Sequence, residues 1–241
     1  MSSPTESANA AEPAVRASFM DGLRDILPII IAVIPFGLVF GALAVKEGLS
    51  VFESVLMSGA VYGGASQFVA LEMWADPLPF WTILMSALAV NLRHVLYSAS
   101  IGRKMAHWPP VTRYGGFALM TDPIFALSDL HGGSRLSVAY YFGLSIPLYL
   151  SWIVTTAAGA ILGNLIRRPE AIGLDFVATA YFLVLVLSFR KRPNAPTVIA
   201  ASAVAALAAY LAFGSPWHFA AGALAGMATA ALLAKPKPAA A

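Results

Sequence analysis

Cysteine is absent from the 241-residue chain, and charged residues make up only 11% of it. The lack of cysteine excludes disulfides, thiolate metal sites and cysteine nucleophiles, and it leaves the redox environment undetermined. Only four histidines are present, and their scattered positions form no metal-binding motif, so we expect neither a metal nor another cofactor. An average soluble domain carries about 25% charged residues. A water-soluble fold is therefore not expected.

Hydrophobic residues supply 59% of the sequence. They cluster into runs of about 20 residues, the length at which a helix crosses the hydrocarbon core of a bilayer. The net charge of +3 does not indicate a nucleic-acid partner, because the basic residues occur in short clusters between the apolar runs. The sequence therefore predicts an all-α, polytopic transmembrane helix bundle in contact with the lipid bilayer.

Eight hydrophobic segments can be delimited, at 26–45, 51–74, 80–101, 115–130, 137–166, 174–189, 196–213 and 217–234. The fourth and sixth are short, which indicates broken or re-entrant elements, so we expect about six to eight membrane segments. We predict disordered tails at 1–18 and 235–241, flanking a single transmembrane domain at 19–234. A signal peptide is the alternative for the first segment, but its length favours a retained helix.

The orientation can be predicted from the excess of lysine and arginine in cytoplasmic loops. Eight full crossings give only a weak excess on the side of the two termini. If the second and fourth segments instead enter the membrane and return, Arg103, Lys104 and Arg113 join that side, and the excess becomes clear. We therefore predict that these two segments are re-entrant.

A faint internal repeat is formed by two stretches, Gly37-x-x-x-Gly41 with Gly48-Leu49-Ser50 and Gly159-x-x-x-Gly163 with Gly173-Leu174-Asp175. Duplicated halves are common in secondary transporters. Glycines four residues apart also form packing seams between membrane helices, and chance matching is an alternative to duplication. A true repeat would give the second and sixth segments the same topology.

The first polar stretch lies within the second segment, where Gly63 and Gly64 precede Ser66 and Gln67. Each glycine weakens a helix by about 1 kcal/mol relative to alanine, and polar side chains are costly at membrane depth. A helix broken here frees backbone groups that protein, water or a ligand must satisfy. We interpret these four residues as substrate-binding. The alternative is close helix packing, with Gln67 bonded to a neighbour.

The second polar stretch, in the third segment, contains Asn91, Arg93 and His94. An arginine near the centre of a membrane helix costs about 2.5 to 3.5 kcal/mol, so it normally faces a cavity or a counter-charge. We predict that Asn91 and Arg93 bind substrate. The alternative is that Arg93 snorkels to the lipid headgroups.

The third polar stretch is Thr121-Asp122-Pro123, where the proline removes a helical N–H and disfavours helix at Asp122. A carboxylate at a helix break is a candidate proton carrier or a partner for Arg93, and a helix cap is the other interpretation. We predict Asp122 as the proton-coupling group, with His94 as the alternative. We also expect Gln67, Asn91 and Arg93 to line one cavity, because grouping lets them satisfy one another.

Taken in order, these stretches resemble the AzlC family of branched-chain amino acid exporters, the large subunit of a two-component system. The resemblance is carried by Ile34-Pro35-Phe36-Gly37, Gly64-Ala65-Ser66-Gln67-Phe68, Asn91-Leu92-Arg93-His94, Leu96-Tyr97-Ser98, Thr121-Asp122 and Gly173-Leu174-Asp175-Phe176. It extends over residues 19–189. One departure is Pro123, since the family often has a second acidic residue after Thr-Asp.

The resemblance implies a secondary transporter in the bacterial cytoplasmic membrane. Its implied substrates are leucine, isoleucine, valine and their analogues, exported with proton coupling. The implied partner is a small, separately encoded, AzlD-like membrane subunit.

Two other classes of function stay open from the sequence alone. A channel or a transporter for another small solute fits the same composition, although no ring-forming filter motif is visible. An intramembrane serine protease would use Ser66 as nucleophile and His94 as its base. Rhomboid proteases, however, have glycine where this chain has Gln67, and Arg93 would oppose protonation of the adjacent histidine. We therefore expect a transporter and no enzymatic activity.

Overall fold

The computed structural model describes residues 17–74, 77–131, 135–165, 183, 186–187, 190, 194–214 and 217–233. Across these ranges the secondary structure is helical, without a strand. The helices are α1 (Phe19–Lys46), α2 (Val51–Val61), α3 (Gly64–Glu72), α4 (Phe80–Asn91), α5 (Arg93–Ile101), α6 (Pro110–Ala118), α7 (Asp122–Leu130), α8 (Val138–Leu165), α9 (Ala195–Phe213) and α10 (Trp217–Leu233). The all-α class is confirmed.

Three of the described helices are long and apolar enough to cross a membrane: Phe19–Lys46, Val138–Gly163 and Ala195–Phe213. The shorter apolar helices include Val51–Val61 and Ala221–Leu233. Most of both predicted tails, and nearly all of the sixth hydrophobic segment with Asp175, lie outside the described residues. The second half of the predicted repeat therefore stays a prediction.

The two longest helices, α1 and α8, lie side by side and run in the same direction. Gly22 near the start of α1 faces Gly143 and Leu144 near the start of α8, and Gly41 faces Ala160 further along. A Cβ atom at Gly22 or Gly41 would overlap backbone atoms of α8, so only glycine permits this approach. Four of the glycines that suggested a repeat thus form one packing seam between α1 and α8: Gly37, Gly41, Gly159 and Gly163.

Helices α2 and α3 form a hairpin. The Nε2 atom of Gln67 in α3 donates to Oγ of Ser58 in α2 at 3.2 Å, whereas nine residues of one straight helix would separate them by about 13 Å. The Phe68 ring of α3 packs on Phe36 and on Phe40, which lies nearer the end of α1. This hairpin therefore enters from the end of the bundle at which α1 finishes, named here the Lys46 face, and returns to it.

Helices α4 and α5 make one kinked crossing of the bundle. The Oγ atom of Ser86 in α4 lies 3.9 Å from Sδ of Met73, just after α3, so α4 starts beside the Lys46 face. Ile101, the last residue of α5, packs with Ile26 and Leu136 at the opposite end. That end, where α1 begins, is named the Ala17 face. The kink falls at Leu92, between Asn91 and Arg93.

Helices α6 and α7 form a second hairpin, which enters from the Ala17 face. Lys104, which follows α5, pairs with the Asp129 carboxylate near the end of α7 at 2.9 Å. The main-chain carbonyl of Lys104 also accepts a bond from the Leu136 N–H at 3.1 Å. Ser137 in turn donates to the Ala17 carbonyl at 2.8 Å. The fourth segment therefore starts and ends at one face, as the charge bias predicted.

Both re-entrant predictions are thus consistent with the contacts of the described helices. Lys104 lies on the same face as Ala17, whereas the C-terminal tail that was expected there lies outside the described residues. The chain crosses with α1, dips with α2–α3, crosses back with α4–α5, dips with α6–α7 and crosses again with α8.

Candidate functional site

A cavity of about 90 Å³ lies in the middle of the bundle, where the two hairpins and the α4–α5 kink meet. Its walls come from these interruptions and from α1 and α8. The lining residues are Val33, Phe36, Tyr62, Gly63, Gly64, Ala65, Arg93, His94, Thr121, Asp122, Pro123, Leu148 and Trp152. Predicted site residues from three separate polar stretches therefore come together in one place.

The turn between α2 and α3 supplies backbone N–H groups. Tyr62 adopts a left-handed conformation, with φ 37°, and Gly63 follows as the residue before α3, without a side chain to cap the helix. The first bond of α3 runs from the Gln67 N–H to the Gly63 carbonyl at 2.9 Å. The N–H groups of Gly64 and Ala65 therefore have no partner within the helix, and such a helix start favours anions.

The α4–α5 kink and the α6–α7 turn supply opposite charges. Arg93 Nη1 lies 3.1 Å from Asp122 Oδ2, and the Tyr97 hydroxyl donates to Asp122 Oδ1 at 2.6 Å. The two side chains are 31% and 38% exposed, so they are in reach of water or solute. Arg93 therefore faces a counter-charge in the cavity and does not snorkel to the headgroups.

Polar atoms with spare hydrogen-bonding capacity lie in this cavity wall. Arg93 Nε is buried and has no hydrogen-bond partner. The hydroxyls of Tyr62 and Thr121 are also buried and lack a bond of normal geometry, although the two are neighbours. Because buried polar groups in native proteins nearly always have partners, a polar solute or water is expected to satisfy these atoms.

The opposite side of the cavity is apolar. Val33 and Phe36 come from α1, and Leu148 and Trp152 come from α8. The Phe36 and Trp152 rings are tilted against each other, with centroids 5.6 Å apart. The cavity is thus polar where the interrupted helices meet and apolar along the α1–α8 pair.

The prediction that Gln67, Asn91 and Arg93 line one cavity is wrong for Gln67 and Asn91. Gln67 is fully buried outside the cavity lining, accepting a bond from Trp152 Nε1 at 3.0 Å and donating to Ser58. Asn91 is likewise absent from the lining, and its main-chain carbonyl oxygen lies 3.2 Å from His94 Nδ1. Both sit within one turn of a break. The Gln67 side chain turns toward Trp152 and Ser58, whereas the Asn91 Oδ1 lies behind Gly63, 3.9 Å from where a Cβ atom of that glycine would be.

Ser66 also lies behind the cavity lining. It is 2% exposed, and its hydroxyl donates to the Gly63 carbonyl at 2.8 Å, which closes the first turn of α3. His94 does line the cavity. Since the Ser66 hydroxyl donates to a backbone carbonyl, this geometry offers no activated serine nucleophile of the kind a protease needs.

Four lining residues lie outside the stretches that the sequence singled out: Val33, Tyr62, Leu148 and Trp152. Tyr62 directly precedes the glycine pair, and its position next to a predicted break is a signal that can identify it. Val33, Leu148 and Trp152 carry no such signal, because apolar residues are common on every face of a membrane helix.

Comparison with known proteins bears directly on this arrangement. Residues 28–166, more than half of the chain, match the family model described as AzlC protein. The chain belongs to the AzlC family. The matched span includes every residue that lines the cavity, so the part of the chain that defines the AzlC family is also the part that builds this site.

Several relatives are similar over most of their length. The chain is 33% identical over 225 residues to the inner membrane protein YgaZ of Escherichia coli (strain K12), which covers 90% of this chain and 91% of that protein. It is 32% identical over 192 residues to an uncharacterized membrane protein of Archaeoglobus fulgidus, covering 78% and 84%. These relatives and the apolar helices identify a multi-pass membrane protein.

A third relative is named for an activity. The branched-chain amino acid transport protein AzlC of Bacillus subtilis (strain 168) is 26% identical over 171 residues, covering 70% of this chain and 66% of that protein. No solved structure matches this chain.

Proposed function

We propose that the chain is a secondary transporter that exports leucine, isoleucine, valine and related amino acids in exchange for protons. Membership of the AzlC family and the printed name of the Bacillus subtilis relative support membrane transport. The observation that carries the proposal is the cavity at the meeting point of the interrupted helices, because it is polar on one side and apolar on the other. A small AzlD-like membrane subunit is proposed as the partner.

The substrate carboxylate binds at the start of α3. The N–H groups of Gly64 and Ala65 and the positive end of the helix dipole favour an anion there. The unpartnered Nε of Arg93 supplies a further, charged donor. Together they fit a carboxylate better than a neutral group.

The substrate ammonium group and side chain occupy the rest of the cavity. Asp122 and the hydroxyls of Tyr62 and Thr121 offer oxygen acceptors to the ammonium group. Phe36 and Trp152 offer an apolar wall to the side chain. A cavity of about 90 Å³ is several times the roughly 10–15 Å³ that a single water needs, so a small solute can enter it.

Competition for Asp122 supplies the coupling. In the substrate-free site Arg93 pairs with Asp122. A bound zwitterion separates that pair, because its carboxylate pairs with Arg93 and its ammonium group pairs with Asp122. A protonated Asp122 no longer attracts the ammonium group, so proton and amino acid exclude each other at one carboxyl. Such mutual exclusion is what export in exchange for protons requires.

The Ala17 face is proposed to be cytoplasmic. Among the described residues it carries the basic side chains Arg24, Arg103, Lys104, Arg113 and Arg135, whereas Lys46 lies at the opposite face. An excess of lysine and arginine marks cytoplasmic loops.

The test is transport by the chain together with its small membrane subunit in proteoliposomes. Vesicles are loaded with labelled leucine, and efflux is measured with and without an inwardly directed proton gradient. The gradient is expected to accelerate efflux, and unlabelled leucine outside is expected to accelerate it as well, because a carrier exchanges bound solute. Gradient-independent efflux without exchange would indicate a channel and contradict the proposal.

A further inference from the structure

The cavity's apolar wall is held from behind by a chain of buried hydrogen bonds. Trp152 Nε1 donates to Gln67 Oε1 at 3.0 Å, Gln67 Nε2 donates to Ser58 Oγ at 3.2 Å, and the Ser58 and Thr156 hydroxyls share a bond of 2.8 Å. Gln67, Ser58 and Thr156 are fully buried. Polar groups that are buried away from water favour the arrangement in which each of them makes its hydrogen bonds. The indole of Trp152 therefore has a single preferred orientation.

Aromatic packing restricts the same wall further. The Phe36 ring stacks on Phe68 with centroids 4.5 Å apart, and the Trp152 ring stacks on Phe40 at 5.9 Å. Phe36 and Trp152 are each only 5% exposed. Closely packed rings of this kind do not yield without displacing their neighbours.

Gly64 packs directly against this wall. A Cβ atom at Gly64 would lie 3.3 Å from Cε1 of Phe36 and 3.4 Å from Cη2 of Trp152, which is at or inside van der Waals contact. The start of α3 therefore lies against the two rings, with no free space for a methyl group between them. A substrate whose carboxylate binds at the start of α3 must place its side chain beside this contact.

We propose that Gly64, Phe36 and Trp152 select the substrate by side-chain size, and that Gln67 is a positioning residue that acts through Trp152. This inference rests on the proposed amino acid transport. A branched aliphatic side chain fills the space beside the wall. A shorter side chain loses contact with the rings, and an aromatic side chain is excluded because the wall does not move.

The experiment measures competition rather than rate alone. Exchange of labelled leucine by the reconstituted complex is inhibited with unlabelled alanine, valine, leucine and phenylalanine, and apparent affinities are compared as ratios within each variant. A loss of folded protein lowers the amount of labelled leucine exchanged but leaves the four apparent affinities, and therefore their ratios, unchanged. The ratios therefore distinguish selection from stability.

Two substitutions change the wall in opposite directions. Trp152→Phe shortens one ring and removes its N–H, and we expect the affinity for phenylalanine to rise roughly tenfold relative to leucine, equivalent to about 1.4 kcal/mol. Gly64→Ala adds a methyl group that presses on both rings and reduces the space beside the wall, and the affinity for leucine is expected to fall severalfold relative to alanine. Gln67→Met, which keeps the length but loses both hydrogen bonds, should shift the ratios as Trp152→Phe does, by a smaller factor.

The matched control is Trp108→Phe. Trp108 is as buried as Trp152, at 4%, and its Nε1 donates to the Leu136 carbonyl at 2.9 Å, but it lies outside the cavity lining. The ratios of apparent affinities measured for Trp108→Phe should equal those of the wild type. If Trp152→Phe and Gly64→Ala still exchange leucine with wild-type ratios, the size selection is overturned while the transport function stands. If the wild-type complex exchanges none of the four amino acids, the proposed function itself fails.

Discussion

The two hairpins that meet at the cavity are built from different chemistry. In α2–α3 the interruption is made by Tyr62 and Gly63, and the hairpin is held by neutral, fully buried hydrogen bonds around Gln67. In α6–α7 the interruption carries Asp122, and the hairpin is held by partly exposed ion pairs to Arg93 and Lys104. From this difference we propose that α2–α3 provides a fixed binding surface, whereas α6–α7 responds to charge.

The surroundings of the two hairpins strengthen the contrast. Phe68 and Leu71 of α3 belong to a buried cluster with Phe40 and Trp152. By comparison, His131 just after α7 lies 2.9 Å from the Tyr140 hydroxyl, which also donates to Asp25 at 2.7 Å. Ile124 of α7 also lies in a buried cluster with Trp108 and Tyr141, so the α6–α7 hairpin differs in having this histidine, tyrosine and aspartate contact beside its apolar packing.

The largest expected effect concerns the faces from which the hairpins enter. The chain has no natural cysteine, so Arg103→Cys and Glu47→Cys, at exposed positions beside the α6–α7 and α2–α3 hairpins, each report on one face. A membrane-impermeant thiol reagent should label Glu47→Cys in intact cells and Arg103→Cys only after permeabilisation. Labelling of both positions from the same side would show that the hairpins do not enter from opposite faces.

The second effect tests the charged hairpin. Asp122→Asn keeps the size of the side chain but removes the titratable charge, so the acceleration of leucine efflux by a proton gradient should disappear, a loss of at least about tenfold. Asp129→Asn is the control, because its partly exposed pair with Lys104 lies at the Ala17 face, away from the cavity. It should keep the acceleration. If leucine efflux by Asp122→Asn keeps the pH dependence of the wild type, Asp122 has only a structural role.

The third effect tests the neutral hairpin. Ser58→Ala leaves Gln67 Nε2 and the Thr156 hydroxyl without their shared partner in a buried site, which costs about 1–3 kcal/mol of unfolding free energy. Thermal unfolding in detergent should detect the loss. Ser86→Ala is the matched control, since this buried serine donates to the Thr82 carbonyl of its own helix. Equal stability of the two variants would mean that the network does not hold the hairpin.

The smallest expected effect concerns Tyr97 of α5, which contacts Asp122 of the α6–α7 hairpin. Tyr97→Phe removes the hydroxyl that donates to Asp122 at 2.6 Å but keeps the ring that stacks on Phe125 at 4.2 Å. Stability should fall by only about 1 kcal/mol or less. The pH at which efflux is half-maximal should nevertheless shift, because Asp122 loses one of its two partners. If the pH profile of efflux is unchanged in Tyr97→Phe, Tyr97 takes no part in the proposed proton coupling.

Backbone signals made much of this architecture predictable. Gly63-Gly64 and Pro123 lie at the starts of α3 and α7, so the two breaks were placed correctly to within about two residues, although Asp122, where helix was disfavoured, is the first residue of α7. The basic residues near Lys104 correctly indicated the return of the fourth segment. The partnership of Arg93 with Asp122 follows from the cost of a lone charge at membrane depth.

Side-chain direction was less predictable, for a physical reason. Lipid and protein interior are both apolar, so the sequence of a membrane helix lacks the periodicity that marks the buried face of a soluble one. Gln67 was correctly placed near the break, but nothing indicated that it turns toward Trp152 and away from the cavity. Trp152 itself sits in an apolar segment without any polar neighbour pattern that marks it as a lining residue.

The short length of the hairpin helices has an electrical consequence. The returning arms α3 and α7 have nine residues each, or about 14 Å, close to half of a hydrocarbon core of about 30 Å. We therefore expect Asp122 at an electrical depth of roughly one half. A membrane potential of 100 mV acts with about 2.3 kcal/mol on a unit charge that crosses the whole membrane. In the proposed cycle, a proton that moves between either aqueous phase and Asp122 would therefore experience only about 1.2 kcal/mol of it. We expect the voltage to act almost equally on proton entry and on proton release.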